Sequence, residues 1–252
     1  MKISAFITKT RPEERGDRFD LCYQMASELF DEVIVVDGEK TWPKEFDWPL
    51  IGEHFQRGYE EATGDWVVHL DTDFIFHEQD YSAVRKACET DAPALSFFKY
   101  QFTRPDRYNI KSRLIIAVNK KGYGTRIKFD GGGESDLCQP SLDGKLITPD
   151  MVPEARIPFF NYEKTWKTKE QIKEDVERMA RAWTRHFRDT HLGTSETAYD
   201  EWLRMSLGRS RKPHEIVSLS FHPKVVQNHL KSLSPDQWGY SGFGNFEPNS
   251  YA

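Results

Sequence analysis

Gly58-Tyr59-Glu60-Glu61-Ala62-Thr63-Gly64-Asp65-Trp66-Val67-Val68-His69-Leu70-Asp71-Thr72-Asp73 is the stretch that decides the fold. Glu53 to Ala62 predicts a helix that Gly64 ends, since glycine tolerates the left-handed backbone of a helix terminus. Asp65 to Leu70 predicts a strand, and it runs directly into Asp71-Thr72-Asp73. In open α/β sheets ligands bind outside the carboxyl ends of strands. That makes the acidic turn the first candidate site.

Upstream, Lys2 to Lys9 alternates Ile3, Ala5 and Ile7 against Phe6, a strand pattern. Arg18 to Phe30 predicts a helix with Leu21, Met25 and Leu29 on one face. Val33-Ile34-Val35-Val36 is apolar throughout and ends at Asp37-Gly38, which predicts a strand buried on both faces of a parallel sheet. The opening is therefore strand, helix, strand. Trp42 to Pro49 predicts loop, and Tyr81 to Cys88 a helix. Ala94 to Phe102 and Arg113 to Val118 predict strands. Lys169 to Arg188 predicts a long amphipathic helix, with Ile172, Val176, Met179, Trp183 and Phe187 on one face, and a second helix spans about Glu196 to Leu207. The fold class expected is α/β. Residues 1–100 would form a nucleotide-binding half and 101–252 an acceptor-binding half, in one continuous domain.

Composition sets limits. Apolar residues make up 38% and charged residues 30% of 252, as in a globular protein with a core. No apolar run approaches the roughly 20 residues of a membrane helix. The first residues, Met1 to Ile7, lack the pattern of a signal peptide. Cys22, Cys88 and Cys138 match neither a disulfide framework nor a zinc spacing, so a reducing cytoplasm is expected. Residues 1–100 carry 11 Lys+Arg against 21 Asp+Glu, and residues 101–252 carry 24 against 19. The first part suits a cation, and the second an anionic partner.

Two carboxylates in one turn can converge on a hard divalent cation such as Mg²⁺ or Mn²⁺. Held there, such a cation bridges a diphosphate and neutralises a phosphate leaving group. Asp37 also ends an apolar strand, where an acid can accept hydrogen bonds from a ribose or base.

These residues resemble family 2 glycosyltransferases, which have the GT-A fold. The resemblance rests on Ile3 to Thr10, on Glu32 to Gly38, and most specifically on Gly58 to Asp73, where helix, Gly-Asp turn, strand and metal motif follow at the family's spacing. It implies transfer of a sugar from a nucleotide-diphospho-sugar, foremost a UDP-sugar, to a hydroxyl acceptor with inversion. It implies that Asp37 contacts the nucleobase, that Asp71 lies near ribose or sugar, that Asp73 binds Mn²⁺ or Mg²⁺, and that Thr8, Thr10 and Arg11 sit at the nucleotide. Some members carry a His-Tyr-Gly-Trp segment before a long helix. The related stretch here is Ile157 to Trp166, with Asn161 at the His position, so its amide oxygen can replace that ligand. His222 is the competing third ligand.

An inverting transfer needs a base for the acceptor hydroxyl. Glu134 and Asp136, beside Gly131-Gly132-Gly133, are the candidates. Arg113, Lys111 and Arg126 are candidate diphosphate partners. The acceptor is a carbohydrate, a lipid-linked oligosaccharide or, given the basic second part, DNA carrying a modified base. A phosphatase of the haloacid dehalogenase type also ends a strand with Asp-X-Asp. It follows the second Asp with Gly and Thr, however, where this chain has Phe74-Ile75-Phe76.

Overall fold

The computed structural model describes residues 1–38, 45–133, 138–209 and 215–233, apart from the side chains of 103, 111, 112, 206–209, 215 and 216. Its elements in chain order are β1 (Ile3–Lys9), α1 (Phe19–Leu29), β2 (Glu32–Asp37), α2 (Trp48–Glu61), β3 (Trp66–Leu70), β4 (Phe74–Ile75), α3 (Tyr81–Ala87), β5 (Ala94–Arg104) and β6 (Arg107–Asn119). Three short strands follow, β7 (Ile127–Lys128), β8 (Ser141–Leu142) and β9 (Lys145–Leu146). After them come β10 (Glu154–Asn161), α4 (Lys169–Phe187), α5 (Ala198–Arg209), β11 (Glu215–Ile216) and α6 (Lys224–Ser232).

Eight strands form a mixed sheet in the order β2-β1-β3-β6-β5-β10-β4, with β11 added to β6; β7, β8 and β9 form a small antiparallel sheet. β1 pairs in parallel with both β2 and β3, because α1 and α2 carry the chain back across the sheet. β6 then enters antiparallel between β3 and β5. The sheet thus takes strands from either side of residue 100.

Alternation along β1 builds two cores. Ile3, Ala5 and Ile7 join Leu21, Cys22, Met25, Ala26 and Leu29 of α1 on one face. Phe6 joins Ile51, Phe55 and Tyr59 of α2 on the other. The large aliphatic and phenyl side chains among these contribute about 1.5–3 kcal/mol each when fully buried.

Three expectations need correction. β2 lies at the sheet edge, and most of its residues are only half-buried. Its apolar run reflects a helix on each face, while among the described residues it pairs on one side only, with β1. α2 starts at Trp48, within the expected loop. Asp47 caps it by accepting from the Leu50 N–H at 3.2 Å, and Pro49 falls in the first turn, where its missing N–H is not needed. Gly64 does not end that helix. It is required by close approach, since a Cβ there would stand 2.6 Å from the backbone nitrogen of Ser4.

The Lys169–Phe187 helix serves three neighbourhoods rather than one apolar face. Ile172, Val176 and Ala180 pack with Ala198 of α5, and Trp183 and Phe187 meet Trp48. Asp175 and Arg178 turn toward the carboxyl ends of the strands. A capping box at Thr168 and Gln171 fixes its start, and Gln171 also donates to the Glu14 carbonyl at 3.3 Å. Among the described residues, no helix is long and apolar enough to cross a membrane.

Candidate active site

A cleft of about 320 Å³ opens at the carboxyl ends of β1 and β3. Thr8 and Thr10 line it from β1, Asp71, Thr72 and Asp73 from the turn after β3, and Lys99 from β5. Asn161, Glu163 and Lys167 come from β10 and the segment leading to α4. Phe46, Ile51, Phe55 and His69 form an apolar and aromatic part of the lining.

The acidic turn is fixed from three directions. Phe74 N–H donates to the Asp71 carbonyl at 3.1 Å, closing the turn. From below, the Cys22 thiol of α1 donates to the Asp71 carbonyl at 3.3 Å. β4 pairs with β10, and Tyr162 N–H donates to the Asp73 carbonyl at 3.2 Å. That pairing sets Asn161 beside Asp73, and the Asn161 amide N–H donates to the Asp73 carboxylate.

The two acids differ. Asp71 is 46% exposed and lies 3.3 Å from His69 Nε2. Asp73 is 5% exposed. Burial pushes its carboxyl well above the ordinary range, and Glu163, Asp71 and Asp17 add to the rise, while Lys167 opposes it. Beside it, Asn161 Oδ1 is buried with no hydrogen-bond partner.

These features fit a hard divalent cation. The donors are oxygens, no positive charge among the described residues stands at hydrogen-bond distance from the carboxylate, and the orphan amide oxygen stands next to it. Among the described residues no group of three His, Cys, Asp or Glu side chains forms a cage. Mg²⁺-type sites commonly take one or two carboxylates and draw their other ligands from water and phosphate.

Around this turn lies an ion network that the sequence reading did not foresee. Lys167, 1% exposed, bonds Asp17 at 2.8 Å and Asp175 at 2.5 Å. Arg178 bonds Asp175 at 2.7 Å, and Lys164 bonds Glu163 at 2.6 Å. Burial would raise the Glu163 carboxyl, but Lys164 and Lys167 outweigh it and hold it at about 2. Glu163 is therefore ionised at neutral pH. It can accept a hydrogen bond from a substrate hydroxyl but is a poor store for a proton.

The other sequence candidates fall elsewhere. Asp37 ends β2 beside Lys9, 3.3 Å from its ammonium, and is not among the lining residues. Arg11 pairs with Glu14 at 3.3 Å, also outside the lining; Arg15, four residues on, lines the cleft instead. Arg113 is engaged by Asp150 and by Glu154 at 3.5 Å, and Arg126 by Asp143 at 2.6 Å. His222 is fully buried away from the cleft. Its Nδ1 meets the Tyr162 hydroxyl at 2.8 Å, it bonds the Pro105 backbone, and burial lowers its pKa to about 3. The chain-end His thus fills a core position. Glu134 and Asp136 lie outside the described residues.

No model of a protein family matches the sequence, and no curated protein matches it. Among solved structures, similarity extends to S. aureus TarS. Residues 1–349 of TarS align at 12% identity and TM-score 0.31, covering 84% of this chain and 74% of that one. The same fragment in complex with UDP aligns at 12% and 0.33 over the same shares. TarS itself aligns at 11% and 0.33, covering 84% of this chain and 44% of TarS. Likeness at these scores carries no weight for fold or function, so the functional reading rests on the cleft.

Proposed function

We propose that the chain is a metal-dependent glycosyltransferase of GT-A type, moving a sugar from a nucleotide-diphospho-sugar to an acceptor hydroxyl with inversion. The observation that carries this reading is Asp73. It is a buried carboxylate of raised pKa beside the orphan Asn161 oxygen, in a turn at a strand's carboxyl end that opens on a cleft.

In this reading Asp73 and Asn161 hold Mn²⁺ or Mg²⁺, with Asp71 at the rim. The bound ion supplies Lewis-acid stabilisation of the diphosphate. Thr8 and Thr10 present hydroxyls to the nucleotide, and Asp37, at the end of the neighbouring strand and outside the cleft lining, takes the nucleobase on the strength of the family resemblance alone. The bond from the anomeric carbon to the diphosphate oxygen breaks, and its electron pair stays on the phosphate. The acceptor oxygen bonds that carbon from the opposite face, and its proton passes to Glu134 or Asp136. Glu163 orients a hydroxyl. The acceptor is a carbohydrate or lipid-linked saccharide, or else a modified base in DNA. Steep weakening of acceptor binding with salt would select DNA. Three free cysteines suit the cytoplasm.

A thermal-shift panel of UDP-, GDP-, CDP- and TDP-sugars, with and without Mn²⁺, tests the proposal. One nucleotide class should raise the melting temperature only when Mn²⁺ is present, because a ligand that binds the native state stabilises it. No shift with any of them, or release of phosphate from simple phosphoesters instead, would overturn it.

A further inference from the structure

Among the described residues three cations line the cleft, namely Arg15, Lys99 and Lys167. Their commitments differ. Lys167 is buried and already donates to Asp17 and Asp175. Lys99, on β5, is half-buried, and no hydrogen bond or ion pair joins it to a described residue. Arg15 approaches Asp17 at 3.6 Å and Asp175 at 3.9 Å, both beyond hydrogen-bond distance, and its Nε is buried with no acceptor. Its side chain is 30% exposed and lines the cleft.

Two positively charged groups thus border a small cleft with donors unfilled. A buried donor left unsatisfied is costly, and a bound acceptor removes that cost. An arginine offers a planar fork matched to phosphate oxygens, and a lysine a compact charge. The hairpin and turn arginines that sequence suggested for this task, Arg113 and Arg126, are taken up by Asp150, Glu154 and Asp143.

We infer that Arg15 and Lys99 bind the diphosphate of the substrate, and that they stabilise the negative charge left on it when the sugar departs. The inference rests on the nucleotide-sugar reading for the identity of the substrate. It depends on the anion, not the sugar, for its binding energy. As the carbon–oxygen bond breaks, the electron pair moves onto the phosphate oxygen, and fixed positive charges there act without reorganisation.

Calorimetry of the full chain in Mn²⁺ with UDP, uridine and inorganic pyrophosphate tests it. Lys99→Met should weaken UDP and pyrophosphate roughly 10- to 100-fold, the loss expected for one charge-assisted bond, and leave uridine unchanged. Lys99→Arg should restore most of the loss. Among the described residues Lys99 makes no hydrogen bond or ion pair, and its charge acts on Glu163 only as a minor aid beside Lys164 and Lys167, so the melting temperature of Lys99→Met should stay close to the parent's. Arg15→Gln should repeat the selective loss. Unchanged UDP affinity in Lys99→Met, or equal losses for UDP and uridine, would overturn the inference, as would a parent chain that binds neither UDP nor pyrophosphate. Pyrophosphate binding that depends on Lys99, in a chain that ignores every nucleotide, would keep the anion site and sink the glycosyltransferase reading.

Discussion

Two buried carboxylates lie near each other at the carboxyl ends of the strands and are treated in opposite ways. Asp175, 10% exposed, sits among Lys167, Arg178, Lys164 and Arg15. Burial would raise its carboxyl, yet Lys164 and Lys167 together lower it below the ordinary range. Asp73, 5% exposed, has an amide for a partner, and its carboxyl is raised. The first arrangement is complete and holds α4 to the β1 loop. The second is incomplete without a further positive charge. A folded chain retains such a group where a ligand supplies what is missing.

The largest effect expected from this contrast is on catalysis. Asp73→Asn should lower metal-dependent transfer on the order of 10³-fold, measured at saturating donor. Its melting temperature in the absence of metal should equal or exceed that of the parent, because the cost of ionising a buried carboxyl is removed. Asp175→Asn should instead destabilise the fold, by about 1–3 kcal/mol in denaturant unfolding, since it removes one of the carboxylates that Lys167 bonds and leaves Asp17 to hold it. A destabilised Asp73→Asn with a neutral Asp175→Asn would break the comparison.

Their pH dependences should also oppose. Asp175, lowered in the folded chain, adds stability above the ordinary carboxylate pKa, and this is lost as pH falls through its depressed value. Asp73, raised in the folded chain, is stabilising only while protonated, so its share is lost as pH rises through its raised value. Unfolding titrations of the metal-free chain should therefore lose, in Asp73→Asn, the decline that accompanies rising pH above the ordinary carboxylate range, and, in Asp175→Asn, the steepest part of the acid-side decline. Identical profiles in parent and variants would contradict both assignments.

A smaller effect concerns the scaffold that aims the turn. Gly64→Ala should cost about 1–3 kcal/mol by overpacking, because its Cβ would meet the Ser4 backbone, which anchors β1. An unchanged unfolding midpoint would show that the close approach of Gly64 to Ser4 does not hold β1 in place.

The acidic turn and the elements leading to it were legible because their signals are local. Alternation at Ile3, Ala5, Phe6 and Ile7, the four-residue spacing of Leu21, Met25 and Leu29, and acids at the end of Trp66–Leu70 each lie within a few residues. The ion network was not legible, because Asp17 and Lys167 are 150 positions apart and each alone reads as a solvated charge. Strand order was hidden likewise. Nothing in the sequence of β6 announces that it enters antiparallel between β3 and β5. His222 misled because a histidine near a proline looks the same whether it ligates a metal or, as here, fills space beside Phe102 and Tyr162. Asn161 was found from its place in a motif. What sets it beside Asp73 is the β4–β10 pairing.

Electron paramagnetic resonance of Mn²⁺ titrated into the chain, with and without the donor nucleotide, addresses the missing charge at Asp73 most directly. The account predicts bound Mn²⁺ whose occupancy rises when nucleotide is added and disappears in Asp73→Asn. Equal Mn²⁺ occupancy in Asp73→Asn, or nucleotide binding indifferent to Mn²⁺, would contradict it.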